Sequence, residues 1–334
     1  MTFLLLVSAF LPLAALYGLL FIPDMTTELA WLVMLDGLIG GIILWGSVIY
    51  LWPSQIFSPL RRLAFPGRIL ALIALVVVCI PLTASITASL YARKVVIALD
   101  YGNGWSLFLY ISAMTALSLI IVQVAQVIGP RVLASMLVGR YHTPKEERRI
   151  FLFVDLVGST ALTKQLGDLG FQRFLTRFFF DIGRPISDHF GEIHAYVGDE
   201  VIVTWPFKTG AKNARCVRCF FAIKHVLDRN GPIYEKRFGV KPQIRAGLHG
   251  GEVIISECGD TKKSIVYFGD TVNTAARLEG EAKRLSRSLV ASDDVLAALD
   301  LPADYGVEFV EDVILRGHDS PTRIASITAT PTPV

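Results

Sequence analysis

At 334 residues, with 53% hydrophobic residues and a mean hydropathy of +0.52, the chain is long enough for two domains and too apolar for an average soluble protein. The 32 Lys and Arg against 29 Asp and Glu leave a net charge of +3, which offers no case for a nucleic-acid partner. Cys79, Cys216, Cys219 and Cys258 form no disulfide framework, and a reducing compartment fits them.

The apolar excess lies before about residue 130. Residues 3–22 carry no charge and are long enough to cross the hydrocarbon core; 29–52, broken only by Asp36, 69–91 and 105–128 read as three further spans. A cleaved leader is the competing reading of 3–22, but no Lys or Arg precedes it. Arg61, Arg62 and Arg68 between the second and third spans, and Arg131, Arg140 and Lys145 after the fourth, put both regions and the N-terminus in the cytoplasm; Arg93 and Lys94 dissent. Asp36 is costly in hydrocarbon and is expected to face the bundle interior, as packing glue or as part of a membrane input. Residues 129–147 turn basic and mixed, with an amphipathic helix predicted over 132–138 and a turn at Pro144.

Phe151-Leu-Phe-Val-Asp155 then reads as a buried strand ending on a carboxylate, turning through Gly158-Ser159-Thr160 into a helical pattern from Ala161. That puts Asp155 beside a helix N-terminus, whose free N–H groups suit phosphate oxygens, and a carboxylate there can hold a metal that the phosphates also touch. An ordinary turn with Asp155 as a solvated cap is the plainer alternative. A helix over 170–190 presents Phe171, Phe174, Leu175, Phe178 and Ile182; 191–205 reads as a hairpin turning at Gly198-Asp199, where Asp199 either meets Asp155 or bonds its own backbone. A helix over 211–229 carries Cys216 and Cys219 as a buried i, i+3 pair in preference to a zinc or redox pair, since no second CxxC completes a site. Strands follow at 243–255 and 264–268. Gly269-Asp270 opens another helix, with Asp270 as its N-cap. On it Asn273 and Arg277, four apart, share one face that suits an oxyanion or phosphoryl group, or plain solvent.

In order, Phe153-Val-Asp155-Leu-Val-Gly158-Ser-Thr160, Val197-Gly198-Asp199-Glu200, Arg245-Ala-Gly-Leu-His-Gly-Gly251 and Gly269-Asp-Thr-Val-Asn273-Thr-Ala-Ala-Arg277 resemble the class III nucleotide cyclase domain. The resemblance implies an α+β, ferredoxin-like catalytic domain over 148–328. With it the expected organisation is an N-terminal all-α transmembrane bundle over 1–128, a coupling segment over 129–147 and a tail over 329–334. It further implies two Mg2+ or Mn2+ ions held by Asp155 and Asp199, one helping to deprotonate the ribose 3′-hydroxyl and the other holding the triphosphate, for in-line attack on the α-phosphate with loss of pyrophosphate. Backbone around Val157, Gly158, Ser159 and Thr160 would cradle phosphates. Asn273 would orient the ribose and Arg277 would stabilise charge, both entering from the second subunit of a head-to-tail homodimer. Leu315-Arg316-Gly317 resembles a basic-residue-Gly step and makes Arg316 the candidate for the terminal phosphates.

The base-reading positions depart from the pattern, because Ala195 and Val266 stand where adenine-selective members carry Lys and Asp or Thr. Lys262 and Lys263 could approach the nucleotide instead, or form a solvated hairpin tip. The apolar spans and the Lys and Arg around them imply a multi-pass protein of the inner membrane with its C-terminal half in the cytoplasm, and the resemblance implies that this half makes cyclic AMP from ATP. A guanylate cyclase using GTP, a cyclase of mixed selectivity and a catalytically silent nucleotide-binding membrane sensor are the alternatives. A transporter would have to rest on Asp36, Gln123 and Gln126 alone.

Overall fold

A computed structural model describes residues 128–314 and 321–329, with isolated helical positions before residue 128. The expected spans fall outside the described residues apart from those positions, as do Asp36 and Arg316; among the described residues no helix is long and apolar enough to cross a membrane. The chain divides into two units, Met1–Val127 and Ile128–Val334.

The second unit opens with α1 (Pro130–Leu137), where Pro sits in the first turn, as a residue lacking the N–H that a helix start leaves unpaired. Val132 and Met136, one turn apart, form its half-buried stripe. The chain then runs through β1 (Lys145–Leu156), α2 (Ser159–Asp188), the hairpin β2 (Glu192–Val197) and β3 (Glu200–Pro206), short α3 (Phe207–Ala211) and α4 (Arg215–Phe238). It continues through β4 (Ile244–Cys258), β5 (Ser264–Phe268), α5 (Asp270–Arg284), β6 (Leu289–Ser292), α6 (Asp293–Leu296), β7 (Tyr305–Val313) and β8 (Thr322–Ala329). The strands make one sheet in the order β2-β3-β1-β4-β6-β8-β7, with β5 paired to the far end of β4; β4 and β6 are parallel, and the other pairs antiparallel. This is the α+β architecture expected of the C-terminal half.

Side chains alternate across a strand, and β1 buries both sets, which is why its sequence is a continuous apolar run. Ile150, Leu152, Val154 and Leu156 join the core beneath α2 and α4, with Phe174, Phe178, Phe220 and Trp205. Phe151 and Phe153 join a second cluster with Val253, Ile255, Ile265 and Ala275 of α5. Asp155 has the parity of Phe151 and Phe153, so it belongs to the α5 side of the sheet.

Three expectations are corrected. The first helix begins at Ser159, before its predicted start, and Gly167 (φ 68, ψ 165) interrupts it where apolar periodicity lapses. α4 runs past Gly231-Pro232 to Phe238, because burying Tyr234 and Phe238 outweighs the local breakers. Gly269 (φ 139) is the N-cap of α5, and Asp270 is its first residue, accepting from Thr274 Oγ1 at 3.3 Å. Cys216 and Cys219 are buried as expected, and burial pushes the Cys216 thiol up to about 12.

Candidate active site

Asp155 is the penultimate residue of β1, and its register partner on β4 is Arg245. Arg245 Nη2 donates to Asp155 Oδ2, while its Nε donates to Glu279 Oε1 of α5 at 2.6 Å. That second contact depends on Gly247: a Cβ there would collide with the backbone of Ala275 and Glu279, so only glycine lets α5 lie so close on β4. The turn after β1 is pinned by Val157 N–H donating to Gln243 O at 2.8 Å, and Gly158 (φ 75) adopts the left-handed conformation that starts α2. Ser159 and Thr160 therefore stand in the first helical turn, where N–H groups have no intrahelical acceptor.

The two-residue turn Gly198-Asp199 closes the β2–β3 hairpin, with Val197 and Glu200 paired across it. β3 neighbours β1, and this brings Asp199 to Asp155. Asp155 is pushed up to about 6, first by burial, then by the Asp199 and Glu279 carboxylates, against the pull of Arg245; a hydrogen bond with Asp199 adds to the rise. Glu200 is pushed up to about 7 by burial and by Glu279, Asp155 and Asp199. Four carboxyl groups thus crowd together, with Arg245 bonded to only two of them, an excess of negative charge that a divalent cation would relieve.

Among the described residues no three His, Cys, Asp or Glu form a ready-made metal cluster. Two facing carboxylates leaving further positions to phosphate and water oxygens are nevertheless a donor set of the kind Mg2+ takes, so Asp155 and Asp199 fit the cations that the resemblance implies.

Asn273 and Arg277 stand apart from this cluster. Thr271, Thr274, Ala275, Leu278 and Ala282 are the buried face of α5. Asn273 and Arg277 each lie two residues from Ala275, which at about 100° per residue puts them across the helix from the sheet. Asn273 is exposed. Arg277 Nη1 is buried without a hydrogen bond among the described residues, 3.6 Å from Asp270 Oδ1.

Ala195 packs half-buried on the α5 side of β2, opposite Ile202, and Val266 is half-buried in β5, opposite Ser256. Neither offers a hydrogen bond from its side chain. Lys263 is taken by Glu257 at 2.7 Å across the β4–β5 hairpin, and Lys262 is exposed, which favours the hairpin-tip reading. Sequence reasoning passed over Arg245, Glu200 and Glu279 as site residues. Arg245 and Glu200 stand at the ends of quoted motifs and Glu279 two residues beyond another, but only register and packing show that they converge.

A facing carboxylate pair at a strand end, beside a helix N-terminus on an α+β sheet, is an arrangement suited to phosphate chemistry. Residues 142–325 match the family described as the adenylate and guanylate cyclase catalytic domain, and the chain belongs to that family. It is 37% identical over 224 residues to Adenylate cyclase 2 of Rhizobium meliloti, covering 67% of this chain and 62% of that protein. It is 26% identical over 210 residues to an adenylate cyclase of Anabaena cylindrica, covering 61% of this chain and 40% of that one. The chain thus spans less than two thirds of either relative. Its fold is similar to that of a bacterial light-regulated adenylyl cyclase, with a TM-score of 0.54 at 22% identity over 66% of this chain and 65% of that one.

Proposed function

We propose that this protein is a membrane-anchored adenylate cyclase that acts as a homodimer, converting ATP to 3′,5′-cyclic AMP and pyrophosphate at sites shared between two copies. The observation that carries the proposal is the separation just described: Asp155 and Asp199 gather on the α5 side of the sheet, while Asn273 and Arg277 are turned away from that sheet. One chain therefore holds half of a phosphoryl-transfer site, and α5 of a second copy supplies the other half.

In this reading Asp155 and Asp199 would hold two Mg2+ or Mn2+ ions, whose chemistry when bound is to polarise the ribose 3′-hydroxyl and offset triphosphate charge. Arg245 keeps Asp155 placed when the carboxylates are ionised. The backbone from Val157 to Thr160 receives phosphate oxygens, Asn273 orients the ribose, Arg277 meets the charge developing at the α-phosphate, and Arg316 takes the terminal phosphates. The 37% identical relative supports ATP as substrate. Ala195 and Val266 keep GTP as the second reading, because neither matches an adenine-specific pair. The apolar stretches before residue 130 and the Lys and Arg around them support a multi-pass anchor in the inner membrane with the catalytic unit in the cytoplasm.

The test is product formation by full-length protein with Mn2+ or Mg2+ and ATP or GTP, for wild type, Asp155→Ala and Arg277→Ala, alone and mixed. Cyclic AMP that is lost in each variant and partly restored on mixing is the expected result. Cyclic GMP would select the second reading. Nucleotide binding without either product would leave a silent sensor.

A further inference from the structure

A β-bulge in β2 turns an extra side chain onto the α5 side of the sheet. Ile193 pairs with Val203 and packs into the core under α2 and α4, whereas Ala195 pairs with Ile202 and packs into the cluster under α5. Residues two apart in a regular strand share a face; the register shift between Ile193 and Ala195 breaks that rule. His194 consequently lies on the same side as Ala195. Its ring meets Tyr267, the neighbour of Val266, edge to face, with centroids 4.8 Å apart and planes at 81°.

Tyr267 is a fixed platform. It stands edge to face with Phe151 at 5.4 Å, and the Arg149 guanidinium lies over its ring at 5.1 Å. Arg149 is itself only 3% exposed, donating to Thr204 Oγ1 at 3.1 Å and to Glu192 Oε2 at 2.7 Å. Against this platform His194 keeps an exposed edge, and neither ring nitrogen hydrogen-bonds to a described residue. Burial and the Arg149 charge hold the imidazole below its ordinary pKa, so it is neutral near pH 7, with one donor and one acceptor nitrogen. An aromatic wall with a free hydrogen-bonding edge is what a planar heterocycle requires.

Resting on the cyclase reading above, we propose that His194 is the purine-reading residue: its acceptor nitrogen takes a hydrogen from the 6-amino group of adenine, Tyr267 walls the base, and Arg149 and Glu192 position the pair. The bulge thus sets a hydrogen-bonding ring beside Ala195, which offers none; Val266 alternates with Tyr267 along β5 and faces the other side. Guanine and hypoxanthine carry a carbonyl oxygen at that position and cannot donate to it.

The experiment compares kcat/KM for ATP and ITP, which differ at position 6 of the base, in full-length wild type, His194→Ala and His194→Gln. The ATP-to-ITP ratio should fall about tenfold in His194→Ala, through KM for ATP and with kcat largely kept, and recover partly in His194→Gln, whose amide oxygen accepts. An unchanged ratio, with both substrates weakened equally, would show that His194 only packs and would overturn the proposal. A wild type that prefers ITP would overturn it as well. If neither nucleotide is cyclised, dissociation constants for ATP and ITP, read by displacement of a fluorescent nucleotide, carry the same ratio. A collapse of that ratio without product would sink the cyclase reading and leave this one standing.

Discussion

Asp155 of β1 and Arg245 of β4 are register partners, and the Arg245 guanidinium bridges the Asp155 carboxylate to Glu279 of α5. One cation thereby ties two central strands to the helix that carries Asn273 and Arg277. All three side chains keep limited solvent access, at 13–15% exposure, so the bridge is worth less than a fully buried one. Arg245→Ala should lower unfolding stability by about 1–3 kcal/mol, mostly because two crowded carboxylates lose their counter-ion. Urea denaturation of the variant checks this, and an unchanged midpoint would show that the bridge contributes nothing net.

The raised Asp155 and Glu200 values set a pH dependence. A carboxyl whose folded pKa lies above its unfolded value favours the folded state while protonated, so stability falls as pH rises from about 4 towards 6 for Asp155 and towards 7 for Glu200. Metal-free protein should therefore melt at a lower temperature at pH 8 than at pH 5.5. Added Mn2+ should raise the melting temperature more at pH 8, where Asp155 is ionised and able to bind it. Thermal unfolding in chelator and in Mn2+ at the two pH values decides; an equal metal effect at both would contradict the assignment.

Gly247→Ala should damage the site from behind. The added methyl meets helix backbone and not a flexible side-chain end, so α5 itself must move. A loss of about 1–3 kcal/mol with a larger fractional loss of activity is expected, because Glu279, Asn273 and Arg277 all ride on that helix. Activity kept at wild-type level would mean that α5 can shift without disturbing the site.

Away from the site, Asp181 is buried between α2 and α4, accepting from Tyr234 Oη at 2.9 Å and from Arg177 Nε at 2.8 Å. Tyr234→Phe removes one of those donors and should cost about 1–2 kcal/mol. The KM for nucleotide should not move, which steady-state kinetics beside a denaturation curve would show.

Much of this was legible along the chain because it is local. The apolar run of β1 ending at Asp155, the Gly198-Asp199 turn, the buried spacing of Cys216 and Cys219, and the common face of Asn273 and Arg277 all follow from patterns a few residues long. The helix limits were less legible. Gly231-Pro232 reads as a stop, yet Tyr234 and Phe238 lie beyond it and are held in the core by Phe174, with ring centroids at 5.4 and 5.3 Å.

By itself, then, the sequence determined which residues bear charge at strand ends and turns, and in what order the motifs come. Tertiary structure alone decided what they meet. Arg245 reaches Asp155 across a separation of 90 residues, and Glu279 joins them only because Gly247 admits α5. Periodicity put Asn273 and Arg277 on one face of a helix but did not say that this face looks away from the sheet. The bulge at His194 has no local signature either. Register and packing are set by contacts between segments far apart in the chain, and a side chain's partner is chosen there and not by its neighbours in sequence.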